Sequence, residues 1–182
     1  MTHELWYFSI DRRPADRTVQ DIAVIVSYLR HLAALTGVPP LLLSQLASVA
    51  YLEQLDSGVT LYRQGDRGTS WYAVLMGTLD VHVSKTGIVE DMNAVSRSLG
   101  MGSFFGESIL DDSPRENTIV TREPCQLLRV EQRDFRALWQ ELLSPLSSQS
   151  QSKAEQRVAS TSVILLAEDK AMLIQNVIMW SF

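Results

Sequence analysis

Between Gly58 and Val130 short runs rich in β-branched and aromatic residues alternate with turn residues, and this rhythm leaves few folds open to the chain. Val59-Thr-Leu-Tyr-Arg stops at Gln64-Gly-Asp-Arg-Gly68, and Trp71-Tyr-Ala-Val-Leu runs into Met76-Gly-Thr-Leu. Asp80-Val-His-Val alternates polar and apolar residues, the period of a half-buried strand. Ile119-Val-Thr and Gln126-Leu-Leu-Arg-Val supply later strands. Several short strands at near-regular spacing argue for an antiparallel sandwich or barrel rather than a parallel βαβ sheet.

Helical periodicity brackets this stretch. Val19, Ile22, Val26, Leu29 and Leu32 fall on one stripe of a helix expected over 18–35, with Thr18 and Asp21 placed to cap its start. Gly37, Pro39 and Pro40 stop it, and Leu41 to Tyr51 reads as a second short helix with Leu42, Leu46 and Val49 inward. Gln132 to Leu143 returns to helical spacing, with Phe135, Leu138, Trp139 and Leu142 on one side. The fold class is therefore mainly β with flanking helices. Residues 1–56 form an N-terminal helical segment, and 57–143 form the barrel with its C-terminal helix. Residues 144–160 read as a Ser/Gln-rich linker, and 161–182 as an apolar tail. An amphipathic helix in that tail would place Leu166, Leu173 and Val177 together.

Charge and cysteine content narrow the function classes. A net charge of -5 gives no electrostatic reason to bind a nucleic-acid backbone or an anionic membrane. The single cysteine, Cys125, rules out an intrachain disulfide and sits in a strand-like run that suits a small buried thiol. The N-terminus shows no long apolar signal region, and no window approaches a membrane span. A reduced, cytoplasmic protein is the expectation. His3, His31 and His82 are scattered and suggest no metal site. Trp71 and Tyr72 read as core aromatics, and Asp111-Asp112 as a solvated turn.

Chemistry concentrates between Gly102 and Thr118, in Gly-Ser-Phe-Phe-Gly-Glu-Ser-Ile-Leu-Asp-Asp-Ser-Pro-Arg-Glu-Asn-Thr. Gly100-Met-Gly-Ser-Phe-Phe-Gly106 nearly matches a dinucleotide fingerprint but has one residue too many, and Pro114 arrives too soon for the helix such a turn must open. A different reading fits better. Gly106 lets the backbone approach a ligand, and a helical turn beginning at Glu107 aims amides at an anion. Arg115 adds a charge-assisted contact of about 1.5–3 kcal/mol, and Glu107 accepts from a ribose hydroxyl. Together they hold a ribose cyclic phosphate. The bland alternative is a surface Glu107–Arg115 salt bridge worth about 0–1 kcal/mol.

From about Leu5 to Leu142 the chain resembles the cyclic-nucleotide-binding domains of protein kinase A regulatory subunits, gated channels and the bacterial catabolite activator. More narrowly, it is similar to the N-terminal cAMP-binding domain of the Epac family, cAMP-regulated exchange factors for Rap GTPases. The resemblance is carried by Leu61-Tyr-Arg-Gln-Gly-Asp-Arg-Gly, Trp71-Tyr-Ala-Val-Leu-Met-Gly-Thr-Leu-Asp-Val and Phe105-Gly-Glu-Ser-Ile-Leu-Asp-Asp. Pro114-Arg, Thr118-Ile-Val-Thr-Arg-Glu and Leu128-Arg-Val-Glu-Gln-Arg-Asp-Phe-Arg-Ala-Leu-Trp extend it. It implies a jelly-roll β-barrel with a phosphate-binding cassette between two strands. It also implies that Glu107 binds the ribose hydroxyl, Arg115 the phosphate, and the amides of Ile109 and Glu116 the phosphate as well. The ligand-binding set expected on this basis is Phe105, Gly106, Glu107, Ser108, Ile109, Leu110, Pro114, Arg115, Glu116 and Asn117.

Two departures bear on the ligand. Small residues usually follow the arginine, whereas Glu116 and Asn117 stand here; the first brings a carboxylate near the phosphate and the second needs room. The threonine associated with cGMP preference is absent after Arg115, so cAMP is the expected ligand and cGMP the second candidate. No cofactor is expected beyond this ligand. The tail after 143 matches no exchange region, so a regulatory module rather than an enzyme is expected, with a Rap exchange factor or another signalling protein as partner. The alternative function is a protein-interaction module that keeps the barrel with weak or no nucleotide binding. A cAMP-controlled transcription factor needs a basic helix-turn-helix, and the tail offers only Lys153, Arg157 and Lys170.

Overall fold

The computed structural model describes residues 3–32, 35, 38, 40–84 and 95–147. The expected linker from residue 148 onward and the expected tail helix over 161–182 lie outside the described residues, as do the side chains of Trp139 and Leu142.

Among the described residues three α-helices precede the strands: α1 (His3–Asp11), α2 (Val19–Leu29) and α3 (Pro40–Val49). Thr18 and Asp21 form a complete capping box at the start of α2, each side chain bonded to the other's backbone. Val19, assigned to the inward stripe, is 89% exposed, because the first helical position after the cap points away from the core. The helix ends at Leu29 rather than Leu35, yet Leu32 stays buried in the turn that follows. α1 locks onto α2 through a parallel stack of Trp6 on Tyr28, centroids 3.8 Å apart.

Among the described residues eight strands follow: β1 (Tyr51–Leu55), β2 (Thr60–Tyr62), β3 (Ser70–Met76), β4 (Leu79–His82), β5 (Val95–Leu99), β6 (Phe104–Phe105), β7 (Thr118–Thr121) and β8 (Cys125–Glu131). They form two four-stranded sheets, β1-β8-β3-β6 and β2-β7-β4-β5, with every pairing antiparallel. The result is the expected jelly-roll barrel with flanking helices. Tyr51, read from sequence as the end of a helix, instead opens β1 and pairs with Arg129 of β8. β5 and β6 also escaped the sequence reading, β6 because two residues give no periodicity.

Strand alternation divides the apolar residues between two cores. Trp71, Ala73 and Leu75 of β3, with Leu128 and Val130 of β8, face the helices and join a large cluster with Ile25, Leu29 and Leu43. Tyr72 and Val74, with Leu127 and Cys125, face the opposite sheet and pack with Leu79, Val81 and Ile119. Cys125 is buried and free as expected, and burial pushes its thiol pKa up. The last helix, α4 (Gln132–Ser147), continues past Leu143 into residues assigned to the linker, and its Phe135 stacks on Trp71 at 4.9 Å. Among the described residues no helix is long and apolar enough to cross a membrane.

Candidate functional site

The residues singled out from the sequence lie on the segment from β6 to β7. Phe104 turns to the helical core and Phe105 to the barrel interior, where Phe105 stacks on Tyr72 at 5.1 Å. Gly106 follows with φ of 97°, and a Cβ there would lie 2.9 Å from the Ser70 carbonyl oxygen. Only glycine meets both conditions without strain. A single 3₁₀ turn then runs over Glu107–Ile109, in which the Ile109 amide donates to the Gly106 carbonyl at 3.4 Å. Asp111 turns the chain by accepting from the Ser113 amide at 3.0 Å, and Asp112 takes a positive φ of 60°. Pro114, exposed, bridges to Arg67.

Arg115 is fixed at both backbone ends by the β2–β3 loop. Its amide donates to the Asp66 carbonyl at 2.8 Å, and its carbonyl accepts from the Gly65 amide at 2.7 Å. The side chain runs inward and is only 4% exposed. One terminal nitrogen donates to the Ser70 carbonyl at 2.5 Å and the other to Ser108 Oγ at 3.0 Å. The guanidinium lies 4.4 Å from the centroid of the Tyr62 ring. Its Nε is buried with no acceptor among the described residues. A Cβ on Gly68 would come within 2.6 Å of the guanidinium carbon, so the loop passes where only a glycine leaves room. An arginine held this way is a charge out of water with one donor unsatisfied, an arrangement that favours an anion.

The surface salt bridge considered from the sequence is not formed: among the described residues no ion pair joins Glu107 to Arg115, whose partners are Ser70 and Ser108. Glu107 is half-buried, and its charge adds to the burial that drives the Tyr62 hydroxyl pKa upward, while Arg115 opposes it. Glu116 is exposed, which takes its carboxylate to the surface. Asn117 is half-buried and accepts from the Tyr62 hydroxyl at 3.3 Å.

The C-terminal helix reaches the same turn. Gln132 Nε2 donates to the Ile109 carbonyl at 2.9 Å and to Asp112 at 2.8 Å. Arg136 donates through Nε to the Ile109 carbonyl at 2.8 Å and through Nη2 to the Leu110 carbonyl at 3.4 Å. It also pairs with Asp112 at 2.8 Å, and these contacts hold the Asp112 carboxyl below its ordinary pKa. Leu110, Asp111, Asp112, Arg136 and Gln140 line an open groove of about 390 Å³ between turn and helix.

The structure thus brings Phe105, Gly106, Ser108 and Arg115 together and sets Pro114 and Glu116 at the surface. Sequence reasoning assigned no role to Tyr62, Gly68, Ser70, Gln132 or Arg136. Tyr62 and Gly68 both lie in a stretch that carried the resemblance, but nothing local marks their contact with Arg115 or that of Ser70, which arises only through the barrel's closure.

Residues 52–141 match the family model described as the cyclic nucleotide-binding domain. The chain belongs to the cyclic nucleotide-binding family through this domain. It is 32% identical over 130 residues to human Rap guanine nucleotide exchange factor 3, covering 70% of this chain and 13% of that protein. The chain therefore spans about an eighth of the exchange factor's length. Among solved structures it is similar to the regulatory domain of Toxoplasma gondii protein kinase A with cAMP, at a TM-score of 0.57 and 23% identity, over 70% of this chain and 50% of that one. It is also similar to a regulatory subunit of a cAMP-independent protein kinase A from Trypanosoma cruzi bound to guanosine, at a TM-score of 0.59 and 18% identity, over 71% of this chain and 46% of that one. At these identities the two structures speak to the fold, and the ligand has to be argued from this chain's own residues.

Proposed function

We propose that this domain is a regulatory module that binds cAMP in preference to cGMP, in the cytoplasm, and reports occupancy through α4. The observation that carries the reading is Arg115, which is 4% exposed with a buried Nε that has no acceptor among the described residues. A cyclic phosphate supplies that acceptor and the compensating charge. Glu107 takes the ribose 2′-hydroxyl from the other end of the sugar. The exposed Glu116 leaves the phosphate unopposed, and the absence of a threonine after Arg115 favours cAMP.

The output runs through contacts that join turn and helix. Gln132 and Arg136 both donate to the Ile109 carbonyl, at the end of the 3₁₀ turn that carries Glu107 and Ser108. A ligand that draws this turn towards Arg115 binds one α4 position better than another, which is the requirement for a conformational response. The 32% identity to a Rap exchange factor supports such an exchange region, in the same polypeptide or another, as the reader of α4.

The test is the thermal melting of the full chain with millimolar cAMP, cGMP or no ligand. Ligand at a hundredfold over Kd stabilises by about 2.7 kcal/mol, so a clear rise with cAMP and a smaller one with cGMP is expected. An unchanged midpoint with both nucleotides overturns the reading.

A further inference from the structure

We propose that Tyr62, seated on β2 outside the cassette, positions the phosphate-binding guanidinium of Arg115, and that Asn117 holds Tyr62 in place. The inference rests on the nucleotide-binding reading above and goes beyond it by assigning a residue outside the Phe105–Asn117 set.

Arg115 is linked by hydrogen bonds to Ser70 and Ser108 at its two terminal nitrogens. Those two bonds leave its plane free to pivot about the line through the acceptors. The Tyr62 ring, 4.4 Å from the guanidinium carbon, removes that freedom by presenting a flat π face to it. With the plane fixed, the unpartnered Nε has a defined direction. Tyr62 is itself oriented at two points: its ring lies against Phe105 at 6.2 Å, and its hydroxyl donates to Asn117 Oδ1 at 3.3 Å. Asn117 stands where the family usually has a small residue. Its side chain is therefore not an intruder in the pocket but the second half of a Tyr62–Asn117 pair. Tyr62 touches no expected ligand atom in this account and acts through Arg115, so it is a positioning residue.

The experiment compares wild type with Tyr62→Leu and Tyr62→Phe in the full chain by competition binding of cAMP and of adenosine, which lacks the phosphate. The arginine Nε–H resonances are recorded in parallel. Loss of a stacked ring weakens cAMP binding roughly twofold to thirtyfold in Tyr62→Leu. Adenosine binding stays unchanged, and Tyr62→Phe, which keeps the ring but loses the bond to Asn117, shows a smaller loss of cAMP affinity. The Arg115 Nε–H signal, shifted by the ring beneath it, moves most in Tyr62→Leu and less in Tyr62→Phe. Unchanged cAMP binding in Tyr62→Leu, or an equal loss for cAMP and adenosine, overturns the proposal. A folded wild type that binds no cAMP defeats the functional reading instead. In that event the stacking still stands or falls on whether the Nε–H signal responds to Tyr62→Leu.

Discussion

The two faces of the β1-β8-β3-β6 sheet are built from neighbouring residues and serve different ends. Towards the helices, Trp71, Leu128, Val130 and Phe104 meet Leu29, Leu43 and Phe135 in one continuous apolar cluster. Towards the barrel interior, the adjacent residues Tyr72, Leu127 and Phe105 begin an apolar core that gives way at the cassette end to Tyr62, Asn117 and the buried Arg115. A one-residue step along β3 or β6 thus separates a side chain in the helical core from one that faces the barrel interior, where the nucleotide is proposed to bind. Stability and binding should be separable by mutation, because the sheet lies between them.

The largest effect is expected on the helical face. Leu43 is fully buried there, so Leu43→Ala should cost about 2–5 kcal/mol in urea denaturation. The folded fraction should keep its nucleotide affinity, and a comparable loss of affinity would break the separation. The opposite case is Gly68→Ala, whose Cβ collides with the Arg115 guanidinium at 2.6 Å. Displacing that group should cost about 1.5–3 kcal/mol of nucleotide binding. Its urea midpoint should move less than that of Leu43→Ala.

A smaller effect tests the helical layer alone. Thr18→Ala removes the cap of α2 and should cost about 1 kcal/mol of stability with no change in binding. Hydrogen bonds from the Thr18 side chain and backbone hold the Asp21 carboxyl below its ordinary pKa of 3.8. Its stabilisation is therefore present above pH 3.8 and is lost as the pH falls through the lower folded value. The acid-induced loss of stability should be shallower in Asp21→Asn than in wild type over that window. The smallest effect belongs to the outer surface of the second sheet, where Arg122 pairs with Asp80 beside Ser98 and is half-exposed. Arg122→Ala should change stability by about 0–1 kcal/mol in the same urea assay.

The candidate cassette stood out in the sequence because its chemistry is local. Gly106, Glu107 and Arg115 lie within one short stretch, and each residue type has a narrow range of uses there. Residues that reach Arg115 from other strands were not legible. The Ser70 carbonyl lies 45 positions away, and the Tyr62–Asn117 bond spans 55, so both depend on strand register and closure that no local pattern encodes. Tyr51 was drawn into the helix read over 41–51 although tyrosine favours a strand, and its pairing with Arg129 of β8 decides its place. Phe104 and Phe105 are identical in type, and only the pairing of β6 with β3 decides which core each joins.

The central claim is that the buried Arg115 is the anion-binding group of a cyclic-nucleotide pocket. Calorimetric titration of cAMP into the wild-type chain and into Arg115→Ala tests it most directly. The account predicts saturable binding by the wild type and a loss of about tenfold or more in the variant, with both proteins shown to be folded. A folded wild type that takes up no cAMP, or an Arg115→Ala variant that binds it equally well, would contradict the account.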